Sequence, residues 1–361
     1  MYASSSLLRL TVLVLSASVL AACGSGTSSE VKALSSSWSY EASGRASGVA
    51  VRPNGEVVLA VGMGPAPFDE GGGAVVFEPS GRVVAELPMV LPRSCDICIR
   101  QHFYPKQPLA TRAGDVWLGD YSHNLFRLGA DNAHTLVSID DRSGVSMGIF
   151  GVDGSSALAP DGERIFVAAF SLGVVEPDGA LAETFDFGSV VRQVTHVDGS
   201  TYVVNVTGAF DKTGTVVRWN AATDDRATLE LPKPVVALAS AEGWTVAAVE
   251  VAVGRIGLYE LALVGAAPSA KALTELDLPT GPVALALRPG KRQVLAASGG
   301  VGVVDNRGDV TILVGSAVLV DADEGPIAVA DVSSVAGLAL SPDGKTAYVA
   351  DSGGLKAFPL P

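Results

Sequence analysis

The sequence predicts an all-β chain folded as a β-propeller of about seven four-stranded blades, with six as the alternative count. Three observations carry that prediction. A short motif recurs along the chain: an alternating apolar strand, a glycine turn and a second strand rich in Val and Ala. Forty-one Gly and 20 Pro, scattered without a three-residue period, break long helices and exclude collagen. The chain is 48% hydrophobic and only 17% charged, which suits strands buried on both faces of stacked sheets.

The first element is a targeting segment. Residues 1–22 carry one charge, Arg9, followed by an apolar stretch from Leu10 to Leu20 that is too short for a stable span. Leu20-Ala21-Ala22-Cys23 resembles the lipobox of bacterial lipoproteins. That resemblance implies cleavage between Ala22 and Cys23, a diacylglycerol on the Cys23 thiol and often a further acyl chain such as palmitate on the new amino group. Two or three buried acyl chains anchor a protein stably, at roughly 0.8 kcal/mol per methylene. Residues 23–36, rich in Gly and Ser, read as a flexible tether, and residues 37–361 as the propeller domain. Gly24, rather than Asp, after the Cys points to the outer membrane or cell surface over the inner membrane.

The blades follow in order. Gly48–Gly55 (GVAVRPNG), Ser156–Gly162 (SALAPDG), Val283–Gly290 (VALALRPG) and Gly337–Gly344 (GLALSPDG) are each followed by a second apolar strand. Weaker copies turn at Gly114, Gly199 and Gly243. These seven glycines lie about 48 residues apart on average, the period of a four-stranded blade. Pro presets φ and Gly accepts a positive φ, so Pro-Asp-Gly is turn chemistry. Further turns at Gly81, Gly179 and Asn306-Arg307-Gly308 are expected to end third strands. The stretch Gly337–Ser352 (GLALSPDGKTAYVADS) resembles the repeats of bacterial YVTN and NHL-type propellers, whereas no Gly-His and Trp-Asp pairs recur as in WD-type rings. Only three strands fit after Gly344, so Ser37–Ala42 is expected to return as the fourth and close the ring.

Loops between second and third strands and between blades share one face, and the long ones are 62–73, 88–108, 121–124 and 207–214. Cys95 and Cys98 lie in the longest. Ile99 follows the second Cys, which argues against haem attachment; Cys95, Cys98 and His102 give three zinc-type ligands without a fourth. In an oxidising envelope a local disulfide is the expected outcome, with metal binding and redox activity as the alternatives. Candidate rim-binding residues are Asp69, Glu70, His102, Asp120, His123, Asp211 and Asp351. Asp321-Ala-Asp323-Glu-Gly325 lacks the later ligands of a calcium loop and is expected to be a turn.

No Gly-x-Ser-x-Gly elbow and no P-loop is present. Gluconolactonase-type propellers use an Asn at a strand start that here reads Ala336-Gly337-Leu338. No catalytic residue, resident metal or cofactor is therefore expected. The net charge of −13 disfavours nucleic acid as a partner. The expectation is a monomeric, envelope-anchored lipoprotein, attached to the membrane through Cys23, whose propeller binds an envelope protein, peptide or glycan. The alternative is a metal-dependent hydrolase or lactonase working at the channel mouth.

Overall fold

The structure is a computed structural model that describes residues 31–69, 71–91, 108–119, 124–138, 156–159, 161–168, 171–206, 212–263, 268–278, 283–299, 303–304, 310–311 and 315–361. Every regular element among them is a strand. The chain enters through β1 (Lys32–Ala33) and β2 (Trp38–Glu41). Blade one is β3 (Ala46–Val51), β4 (Val57–Val61), β5 (Gly73–Phe77) and β6 (Val83–Pro88). Blade two is β7 (Leu109–Ala110), β8 (Val116–Gly119), β9 (Asn124–Leu128) and β10 (His134–Ser138); blade three is β11 (Ser156–Leu158), β12 (Ile165–Ala168), β13 (Leu172–Val175) and β14 (Leu181–Phe185). Blade four is β15 (Gln193–Asp198), β16 (Thr201–Asn205), β17 (Gly214–Asn220) and β18 (Arg226–Leu231), and blade five is β19 (Val235–Ala241), β20 (Trp244–Ala252), β21 (Arg255–Ala262) and β22 (Ser269–Asp277).

Blade six begins with β23 (Val283–Leu287) and β24 (Gln293–Ser298), departs into a separate hairpin of β25 (Val303–Val304) and β26 (Val310–Thr311), and resumes with β27 (Gly315–Asp321) and β28 (Gly325–Val332). Blade seven is β29 (Val335–Leu340), β30 (Thr346–Asp351) and β31 (Gly354–Pro359), completed by β2. The ring thus has seven blades. The expected closure is present: Trp38 pairs with Ala357 and Glu41 with Gly354, antiparallel.

Second strands are buried throughout. All five residues of Val57–Val61 have no exposed surface, because blades pack against both faces of each sheet. Seven apolar clusters result, one at each junction between neighbouring blades. Most are built from Val, Ala and Leu. Two junctions depart from that pattern. Between blades three and four, Trp219 is fully buried against Phe166, Phe185, Phe187 and Tyr202, and its Nε1 donates to Asp224 Oδ1 at 2.9 Å. At the closing junction Trp38 packs on Phe77 and Tyr348 and donates to the Pro79 carbonyl. Tyr40 donates to Glu86 Oε1 at 3.1 Å, tying β2 to blade one; burial and the Glu86 carboxylate push its phenol up to about 12.

All seven first-turn glycines have positive φ, between 47° and 95°, as the turn chemistry requires. Blade six corrects one expectation. Its third strand is Gly315–Asp321, not the segment before Asn306, so its outer turn is 322–324. An apolar alternation in 301–304 followed by a glycine signal imitates a third strand, and only pairing with β24 distinguishes the two. Asp321 caps that turn, its Oδ1 accepting from the amides of Asp323 and Glu324. Lys32 and Ala33, placed by composition in the tether, pair in parallel with Ala328 and Val329 as a fifth strand on blade six.

Candidate functional site

The strand order places β3, β7, β11, β15, β19, β23 and β29 innermost, each paired on one side only. Their free edges face the axis, so unpaired backbone N–H and C=O groups line the channel and need water or a ligand. A cavity of about 140 Å³ lies there, lined by Val49, Pro108, Gln193, Ala237, Leu238, Val283–Leu285, Gly337 and Leu338. Gln193 is the one polar side chain in that lining, and its Oε1 is buried without a hydrogen-bond partner. None of the lining residues is ionisable, so the wall itself supplies no acid, base or charged ligand.

Gly337 has a physical reason for being glycine. A Cβ there would sit 2.8 Å from Gly48 Cα and 2.9 Å from Val49 N. Two first strands, β29 and β3, approach across glycines, which leaves no room for the metal-binding Asn of the lactonase pattern. Among the described residues, no group of three or more His, Cys, Asp or Glu is placed to hold a metal ion.

The predicted rim residues separate. Asp351 ends β30 on the loop face, but it is fully buried and its carboxylate is occupied. Oδ2 accepts from Ser333 N at 3.0 Å and from Lys356 Nζ at 2.8 Å, and Oδ1 accepts from Gly353 N at 2.9 Å. Burial pulls its pKa upward; the Lys356 ammonium and the two amides outweigh that and hold it below the usual carboxylate range. Asp351 therefore braces the β30–β31 turn, where its position at a strand end suggested an open ligand. Asp69 is exposed on the loop between β4 and β5. That loop is built: Phe68 is fully buried in the closing-junction cluster, Phe68 N donates to Pro65 O, Gly64 N donates to Phe68 O, and Ala66–Pro67 is cis. Glu70, His102, Asp120, His123 and Asp211 lie outside the described residues, as do Ala22, Cys23, Cys95 and Cys98.

The sequence reading missed two buried arginines. Arg52 and Arg288 occupy the same place in blades one and six, directly before the turn proline. Arg52 has no exposed surface; its Nη1 donates to Glu56 Oε2 at 2.8 Å and Asn132 Oδ1 at 2.9 Å, and Nη2 to Gly129 O at 2.7 Å. Arg288 donates through Nε to Gly344 O at 2.7 Å and through Nη1 to Gln293 Oε1 and Pro361 O. Each guanidinium clips one blade's hairpin to the next blade. The signal was available: an arginine closing an apolar strand at equivalent positions of two repeats.

No family model and no curated protein sequence matches the chain. Among solved structures, a chain of the mitotic checkpoint complex aligns over 97% of this chain and 99% of its own length, at 14% identity and a TM-score of 0.61. Virginiamycin B lyase from Staphylococcus aureus aligns over 91% of this chain and 99% of its own, at 13% identity and a TM-score of 0.55. These likenesses, at such identities, concern the fold: this chain is a seven-bladed β-propeller.

Proposed function

We propose that the protein is an envelope-anchored lipoprotein whose propeller binds a protein, peptide or glycan through the loop face. One observation carries the reading: the channel wall is free of ionisable side chains and its cavity, about 140 Å³, is small. Ligand clefts for drug-sized molecules run to roughly 300–1,000 Å³. Recognition therefore falls to the rim, where long connections 89–108 and 139–155 join blades one to two and two to three. The Leu20–Cys23 lipobox supports the anchor. A lyase and a chain of a checkpoint complex share the fold, so fold alone selects neither catalysis nor binding.

The test replaces 89–108 with a short Gly/Ser linker. A single envelope partner crosslinked by the parent and lost from the variant, at unchanged melting temperature, supports the reading. Equal recovery by both would refute the assignment to this loop. Intact mass of membrane-extracted protein tests the anchor, since Cys23→Ser should abolish the lipid mass and release the protein to the soluble fraction.

A further inference from the structure

The fifth strand on blade six determines which side of the ring is held near the membrane. β1 pairs in parallel with β28, Lys32 opposite Ala328 and Ala33 opposite Val329, and Leu34 N donates to Val329 O at 2.7 Å. The outer edge of blade six is the one outer edge that carries such a strand among the described residues. The free part of the tether therefore ends at Lys32, and not at the closing strand. Nine residue steps separate Cys23 from Lys32, a reach of at most about 30 Å at roughly 3.3–3.6 Å per residue.

In a closed ring of seven, the blades across from the sixth are the second and third. The long connections 89–108 and 139–155 flank blade two, between blades one and two and between two and three. The inner strands in that sector are also the shortest, two residues in β7 and three in β11, against seven in β19. Attachment and variation thus occupy opposite sides of the ring.

We propose that β1 orients the anchored propeller, holding the blade-six edge toward the bilayer and presenting blades two and three outward to a partner that is not the anchoring membrane. This rests on the proposed anchor at Cys23. The net charge of −13 agrees with it, because an acidic ring gains nothing from lying flat on an anionic bilayer.

The experiment uses the full lipidated chain in phosphatidylethanolamine/phosphatidylglycerol vesicles doped with an acceptor-labelled lipid. In a Cys95→Ser, Cys98→Ser background, a donor dye is attached through either Asp323→Cys or Ala130→Cys. Both positions are exposed and both lie in turns joining third to fourth strands, in blade six and blade two. Energy transfer to the bilayer is expected to be at least about twofold higher from the blade-six label. Insertion of a long Gly/Ser segment after Glu30 should abolish the difference while leaving the melting temperature unchanged. Equal transfer from the two labels in vesicle-bound protein would overturn the orientation alone. Protein carrying Cys23→Ser that still floats with the vesicles would overturn the anchor reading instead.

Discussion

Arg52 offers the sharpest test of how neighbouring blades are held together. Its side chain is 1% exposed and its three hydrogen bonds cross from the blade-one hairpin to the β9–β10 turn of blade two. Arg52→Met keeps most of the volume and removes all three donors. Breaking a buried ion pair by deleting one partner costs about 3–5 kcal/mol, but Glu56 retains 22% side-chain exposure and recovers some hydration. Asn132 Oδ1 and Gly129 O lose donors that neutral pairing would value at about 1 kcal/mol each. The expected loss is about 3 kcal/mol. Domains of 150–250 residues shift by about 2–4 °C per kcal/mol, so the lower end applies here and Tm should fall by about 6 °C. Thermal unfolding followed by circular dichroism measures it. Glu56→Gln alone should cost less, and the double variant should be non-additive by about 1–2 kcal/mol. The sign with pH also follows. Burial works to raise the pKa of Glu56, but hydrogen bonds from Arg52 and Asn54 prevail and lower it. The pair's contribution is thus complete above the unfolded Glu value of about 4.3 and fades as pH falls through the lower folded value. An Arg52→Met melting temperature within about 1 °C of the parent at pH 7, or strict additivity in the cycle, would refute the inter-blade clamp.

Removing residues 352–361 deletes β31 and leaves β30 and β2 without their shared partner; the truncated chain should lose its cooperative melting transition, and an unchanged curve would count against ring closure. Trp38→Ala should cost about 2–4 kcal/mol, below or within the range for a core Trp, because the ring is only partly buried against Phe77 and Tyr348; urea titration gives the value. Gly337→Ala should destabilise by about 1–3 kcal/mol through overpacking against the Gly48–Val49 backbone, and chemical denaturation with no loss would show that β29 and β3 can separate. Asp351→Asn should cost about 2 kcal/mol, the scale of a charged hydrogen bond. Its depressed pKa places that difference above the unfolded value near 3.9, so parent and variant should converge in stability as pH drops below it.

The turn glycines were legible because positive φ leaves a residue-level mark: Gly55, Gly114, Gly162, Gly199, Gly243, Gly290 and Gly344 all adopt it. The closing strand was legible because blade seven ran out of chain. Asp351 was not, since its partners Ser333 and Lys356 lie 18 residues back and five residues on, and only the turn at 352–353 brings them to one carboxylate. Arg52 was hidden for a related reason. Its acceptors lie 77 and 80 residues away on another blade, and a charged residue at a strand end reads locally as solvated. β1 has two residues in a Ser-rich stretch, too short to show any period. Local chemistry marks turns; contacts between repeats leave no local trace.

The departures from the repeat say more about function than the repeat itself. A ring of blades is stabilised when every junction is filled, and all seven are. Nothing in that requirement asks β7 to stop after two residues, the connections on either side of blade two to lengthen, or β24 and β27 to be separated by an extra hairpin. Such features relinquish inner-strand packing or add loop-closure entropy, about 0.6 kcal/mol for each doubling of length, and the fold recovers no core from them. Asp351 and the Phe68 loop show the opposite economy at the closing junction, where the rim is tied down by buried contacts. The loop face is therefore divided between a braced sector at blades seven and one and an elaborated sector at blades two and three. A partner that discriminates by shape would meet the elaborated sector first, and the closed junction opposite keeps the ring rigid while it does so.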